Sequence, residues 1–169
     1  TARGAYYGYE ALMKGMGYEP SPLSAFSPTT VSEDFYGTVY SKSGMNWIAP
    51  DAIEVFAEQA EDTQVVSYMD NTPKEVPMYD YSFLEKKDKY SMFMGGNTPL
   101  VTIHTGNQEA PKLLILRDSY MDSLLPFLQT HFSEIHVMDL RYYKTQLTDA
   151  SVSGYVSENN IDEVLICYS

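Results

Sequence analysis

Apolar residues recur along this chain with two periods, one near 3.6 and one near 2. Ala5, Tyr6, Tyr9, Leu12, Met13 and Met16 share one face at helical spacing and Gly17 follows where a helix stops, which predicts a helix over Gly4 to Met16. Pro20, Pro22 and Pro28 with interleaved serines make Glu19 to Thr30 a loop. Glu33 to Tyr40 has the aromatic content of an extended segment and runs to a turn at Lys42-Ser43-Gly44. Pro50 at a first turn, with Ile53, Phe56, Ala57 and Ala60 along one face, predicts a second helix.

Gln64 to Met69 alternates as a strand, closed by Asp70-Asn71-Thr72-Pro73, while Tyr79 to Lys89 is mixed and charged and reads as loop or short helix. Leu100 to Thr105 and Lys112 to Leu116 are apolar β-type runs. The short polar link from Gly106 to Pro111 makes them a hairpin or a nearby strand pair. Tyr120 to Phe132 carries Met121, Leu124, Leu125, Leu128 and Phe132 at helical spacing, and a start near Asp122 or Ser123 puts Pro126 in or near the first turn. A strand over Ile135 to Leu140, a helix over Thr148 to Asn159 capped by Thr148 or Asp149, and a strand over Ile161 to Tyr168 complete the chain. Strand, helix, strand, helix, strand argues for an α/β fold with a mostly parallel sheet and flanking helices.

At 169 residues, 44% of them hydrophobic, the chain can bury one sizeable core, so residues 1–169 are expected to form a single domain. The net charge of −12 excludes adhesion to nucleic-acid phosphates or anionic membrane surfaces. Lys86, Lys87 and Lys89 are diluted by Glu85 and Asp88 and read as a solvated face. No apolar stretch approaches the roughly 20 residues of a membrane span, which leaves this segment without direct membrane insertion. The lone Cys167 reads as a small buried hydrophobe. Fifteen tyrosines supply flat apolar faces with polar tips, suited to sheet edges and sugar-binding surfaces. A helical pattern within a few residues of Thr1 makes the chain look like the C-terminal part of a longer protein, lacking an N-terminal portion.

In a parallel sheet, ligands bind beyond the carboxyl ends of the strands, where Ser119, Arg141 and Tyr168 are predicted to lie. A strand that delivers Ser119 to a strand-to-helix turn sets its hydroxyl beside backbone N–H groups able to stabilise an oxyanion. The same residues also fit a plain strand end with Asp118 and Ser119 capping the next helix. Gly95-Gly96-Asn97 lets backbone approach a ligand and offers an amide to an oxyanion, and is equally a common turn. A serine nucleophile needs a base, yet His104 lies in a strand, His131 late on a helix and His136 at the far end of its strand. No metal-ligand spacing and no phosphate-binding glycine loop is present, so no metal or cofactor is assigned.

Gly4-Ala5-Tyr6-Tyr7-Gly8-Tyr9, Phe35-Tyr36-Gly37-Thr38 with Ser41-Lys42-Ser43-Gly44, Asp88-Lys89-Tyr90 with Phe93 and Gly95-Gly96-Asn97, Leu114-Ile115 with Asp118-Ser119-Tyr120 and Pro126-Phe127, and Asp139-Leu140-Arg141-Tyr142-Tyr143 together resemble the DHHW family of bacterial envelope proteins. That family is similar to SGNH-type hydrolases and to alginate O-acetylation proteins. The resemblance implies an SGNH or flavodoxin-like sheet, with Ser119 as nucleophile and Asn97, Gly96, Arg141 and Tyr120 around the oxyanion or substrate. Arg117 departs from it, standing where related hydrolases often carry glycine, which puts the close backbone packing at that turn in question. The name-giving Asp-His-His-Trp motif falls just before Gly4, with Thr1 after its tryptophan, and so lies outside this chain. The implied activity is a serine-dependent esterase or O-acetyltransferase on acetylated envelope or extracellular polysaccharide, weak or inactive in this fragment. The alternative is a non-catalytic cell-surface glycan-binding protein on the same fold. Both imply a protein of the envelope or the outside of the cell.

Overall fold

The computed structural model of the chain describes residues 2–37, 47, 49–57, 59–70, 72–147 and 150–168. The first helix, α1 (Ala2–Met16), ends as the pattern predicts: Gly17 takes φ +86° and the Tyr18 N–H returns to the Met13 carbonyl at 2.8 Å. A two-stranded ribbon follows, β1 (Thr29–Phe35) paired antiparallel with β2 (Asp51–Val55). The segment expected to be a second helix is thus a strand, because Ile53 and Val55 are buried while their neighbours are less so, a period of 2 set by packing on the core. The expected turn at Lys42-Ser43-Gly44, and Thr38 and Ser41 of the family pattern, lie outside the described residues.

β3 (Gln64–Met69) and β4 (Thr72–Glu75) form a hairpin, and two 3₁₀ turns, Tyr81–Glu85 and Lys89–Met92, lead towards β5 (Leu100–His104). β6 (Lys112–Arg117), α2 (Leu125–Leu128), β7 (Glu134–Met138), α3 (Leu140–Gln146), α4 (Val152–Glu158) and β8 (Glu163–Cys167) complete the chain. The helix expected over Tyr120 to Phe132 is reduced to a 3₁₀ turn at Ser119–Met121 and the single turn α2, with Pro126 at its start where no N–H is needed. The cap of α4 is Ser151, whose hydroxyl accepts from the Gly154 N–H at 3.1 Å; Thr148 and Asp149 lie outside the described residues.

The main sheet runs β4-β3-β5-β7-β6-β8. Its β7–β6 and β6–β8 pairs are parallel, as the alternation of strand and helix predicts. The β4–β3, β3–β5 and β5–β7 pairs are antiparallel, so the mostly parallel, SGNH or flavodoxin-like sheet is overturned: the sheet is mixed and rich in antiparallel pairing. β5 and β6 do not form a hairpin either, since β7 is inserted between them and satisfies one edge of each.

Both faces of the sheet are covered, which is why β6 reads as a continuous apolar run. Leu113, Ile115, Ile135 and Val137 join α1, α2 and the ribbon in one core. Leu114, Leu116 and Met138 face the opposite way, with Tyr143 of α3 and Tyr155 of α4. Cys167 is half-buried against the first core. The register places the carboxyl ends of β3, β6, β7 and β8 and the amino end of β5 along one rim, with Leu100 opposite Met138 and Leu116 opposite both Met138 and Ile166.

Candidate active site

Ser119 is brought to that rim by a strand whose register is fixed on both faces, since a one-residue slip of β6 would exchange Leu113 and Ile115 with Leu114 and Leu116. Beyond Arg117 the chain leaves the sheet. Asp118 is extended, donates its N–H to the Cys167 carbonyl at 3.3 Å and accepts the Tyr120 N–H on its carboxylate at 3.1 Å. Asp118 is therefore the cap of the turn that opens at Ser119, so only half of the capping alternative holds. The Ser119 carbonyl accepts from the Tyr90 hydroxyl at 3.0 Å, while its own hydroxyl, half-buried, makes no hydrogen bond among the described residues. The Tyr120 N–H is committed to Asp118, and the Tyr120 ring is 73% exposed beside the serine.

Directly behind this turn is an ionic cluster. Arg117 is 1% exposed, with Asp122 at 2% and Asp139 at 0%. The Arg117 guanidinium lies 3.1 Å from Asp122 through Nη2 and 3.7 Å from Asp139 through Nη1. Asp139 is shared: Arg141 donates to it from Nε at 2.9 Å and Nη2 at 2.6 Å, and the Arg141 backbone N–H adds a further bond at 3.0 Å. Asp122 Oδ1, Arg117 Nε and Nη1, and the buried Thr98 Oγ1 have no hydrogen-bond partner among the described residues. Burial pushes the Asp122 carboxyl up to about 7, against the pull of Arg117, with Asp139 and Asp118 adding to the rise. The Asp139 carboxylate holds the Arg141 guanidinium well above its usual range. Arg117, standing where the family pattern suggests glycine, ties β6 through its buried guanidinium to the carboxylates of Asp122 and Asp139.

Gly95 and Gly96 adopt φ +78° and +98°, and a Cβ on Gly96 would stand 3.0 Å from the Ser91 hydroxyl. They hand the chain to Asn97, exposed, and then to Pro99, whose carbonyl accepts the Asp139 N–H at 3.0 Å. Asn97 thus enters the rim beside β7. Tyr168 follows β8 on the same side; burial raises its phenol, and the charges of Asp139, Arg141 and Asp118 all act on it. Ser119, Arg141 and Tyr168 therefore share one rim, as their places after strands imply, and Asn97 joins them because β5 runs antiparallel to its neighbours.

The histidines are held elsewhere. His131 Nε2 bonds the Tyr9 hydroxyl at 2.6 Å, beneath α1, with burial lowering its pKa. His136 bonds Tyr155 at 2.7 Å and Glu134 at 3.1 Å under α4, and burial lowers it too. His104 pairs in register with Glu134 at the opposite end of the sheet. None faces Ser119. No group of three or more His, Cys, Asp or Glu residues able to hold a metal occurs among the described residues. Sequence reasoning missed Tyr90, Asp122 and the buried state of Arg117. The available signal was an arginine ending an uninterrupted apolar strand, with two aspartates close behind it.

Solved structures share this architecture. The crystal structure of a DHHW family protein from Eubacterium siraeum is 28% identical with a TM-score of 0.78, covering 99% of this chain and 55% of its own. Bacillus cereus PatB1 matches at 21% identity and TM-score 0.78, covering 100% of this chain and 59% of that one. PatB1 with a sulfonyl adduct matches at 19% and 0.77, covering 100% and 57%. The chain thus spans a little over half the length of these structures. No curated protein matches it. The family model for DHHW protein matches residues 1–138, and the chain belongs to the DHHW family.

Proposed function

We propose that Ser119 is the nucleophile of an acyl-transfer enzyme, a serine esterase or O-acetyltransferase that acts on acetyl groups of an envelope or extracellular polysaccharide. The observation that carries this reading is the Ser119 hydroxyl itself, on a partly buried residue at a rim of strand ends, without a hydrogen bond among the described residues in a turn that Asp118 caps. PatB1, similar in fold, holds a sulfonyl adduct, and such an adduct forms where an activated nucleophile displaces the leaving group of a sulfonyl reagent.

In the reaction, Ser119 Oγ bonds to the acetyl carbonyl carbon and its proton passes to a base. The tetrahedral oxyanion collapses with cleavage of the bond between the acetyl carbonyl carbon and the sugar oxygen, and the base returns the proton to that departing oxygen, releasing the sugar hydroxyl. Water or a second sugar hydroxyl then takes the acetyl group from Ser119. The Ser119 N–H and the Asn97 amide serve the oxyanion, with Gly96 allowing the close approach, while Tyr120 and Arg141 flank the sugar. The histidine base and its aligning carboxylate come from protein outside these 169 residues, in keeping with histidines that are all engaged elsewhere.

That same remoteness favours the second reading, a non-catalytic cell-surface glycan-binding protein. The two separate on p-nitrophenyl acetate, with the protein extended on its N-terminal side to the length of its solved relatives. Turnover that falls at least 10³-fold in Ser119→Ala supports the enzyme, about the loss expected for a nucleophile; turnover that survives the substitution overturns it. The 169-residue chain is expected to turn over weakly or not at all.

A further inference from the structure

We infer that the pocket between the β1–β2 ribbon and Tyr90 is a subsite for a neutral or amino sugar and that it discriminates against uronates; this rests on the polysaccharide reading above. The pocket has a volume of about 90 Å³ and is lined by Phe35, Asp51, Glu54, Tyr90, Phe93 and Ser123. Its position relative to the nucleophile is set by covalent and hydrogen bonds. Tyr90 donates to the Ser119 carbonyl, and Ser123 lies four residues beyond Ser119 in the same run of turns. A residue seated here lies against the backbone segment that carries the reacting hydroxyl.

The lining defines the chemistry. The rings of Tyr90 and Phe93 stand 5.1 Å apart at 53°, giving an apolar corner of the kind that receives the C–H face of a pyranose. The lining also includes two acidic residues, Asp51, whose carboxylate accepts the Ala52 N–H at 2.8 Å, and Glu54; their remaining lone pairs are acceptors for sugar hydroxyls or for an ammonium group. Among the described residues no lysine or arginine is part of the lining, and Lys89, next to Tyr90, is held by Asp34. The described cation paired with Glu54 is Arg3, at 3.9 Å and largely exposed. A uronate carboxylate would meet like charge here, whereas a hydroxymethyl, acetamido or amino substituent would be accepted. The size agrees: at about 30 Å³ per liquid water, the pocket takes an exocyclic group of one sugar, leaving the ring to rest on the aromatic corner.

The test is a titration of the 169-residue chain with three tetrasaccharides, of glucosamine, N-acetylglucosamine and a polyuronate, followed by amide chemical shifts at low salt. Shifts at Ala52 to Glu54 and at Phe93 with the first two, and at least tenfold weaker binding of the polyuronate, are expected. The Asp51→Asn/Glu54→Gln double variant should lose at least tenfold in affinity for the glucosamine oligomer and narrow its preference over polyuronate. Equal or tighter polyuronate binding, a double variant without effect, or no shift at these amides with any oligomer at millimolar concentration would each overturn the inference. Covalent labelling of Ser119 reports on the catalytic reading by itself, so either claim can fail while the other stands.

Discussion

Replacing Asp122 by asparagine exchanges a buried acid for a neutral side chain of nearly the same shape, two residues past the tyrosine that follows Ser119. Burial raises the Asp122 carboxyl from 3.8 to about 7, opposed by the Arg117 guanidinium at 3.1 Å. The folded-state value is the higher one, so between pH 4 and 7 the native protein keeps a proton that the unfolded chain has released. Stability from this group is full below the unfolded value, declines as pH rises and levels off above the folded value. Three units correspond to about 4 kcal/mol, and more than half of that falls between pH 5 and pH 8. Asparagine does not titrate. The variant should therefore gain on the wild type by about 2–3 kcal/mol across that interval, whatever constant offset its amide contributes. Urea unfolding of both proteins at pH 5, 6, 7 and 8 reads this difference, in which the titration of other groups cancels. A difference that stays constant with pH, or a wild type that gains on the variant as pH rises, would refute the reasoning and show that the ion pair with Arg117 outweighs burial.

Arg117→Met leaves Asp122 and Asp139 buried without their shared cation and should cost about 3–5 kcal/mol, lowering the melting temperature by roughly 10 °C; a loss under 1 kcal/mol in urea unfolding counts against the cluster as a structural tie. Gly96→Ala meets both the positive φ and the nearby Ser91 hydroxyl. Its expected cost is about 1–2 kcal/mol by the same measurement, and a neutral result would mean that the turn re-forms around the new side chain. Asp118→Ala removes the bond to the Tyr120 N–H and should cost about 1 kcal/mol, with a fall in acetyl-ester turnover in the extended protein as the serine turn loosens.

Segments whose neighbours supply the expected packing could be read directly. β3 matches its pattern residue for residue, and α1 ends at Met16 because the chain must turn at Gly17. The second helix failed because Ile53, Phe56, Ala57 and Ala60 satisfy a helical spacing, while Ile53 and Val55 alone satisfy a strand, and docking against the core decided between them. Strand direction was the larger loss. The segments after Lys112 alternate strand and helix and do pair in parallel, but nothing in the run Leu100 to His104 tells that it lies antiparallel between β3 and β7. Of the site, the shared rim of Ser119, Arg141 and Tyr168 was legible because strand ends are, whereas Asn97 stands there only because β5 is antiparallel. The buried Arg117, Asp122 and Asp139 were not, since hydrophobic periodicity carries no mark for a charge that is buried with its partner.

An activated Ser119 oxygen would be captured covalently by an electrophile. A fluorophosphonate reagent is added to the protein extended to the length of its solved relatives, and the modified peptide is sequenced by mass spectrometry. A single stoichiometric adduct on Ser119, absent in Ser119→Ala, is expected. An unmodified Ser119, with the reagent unreacted or attached elsewhere, would contradict it.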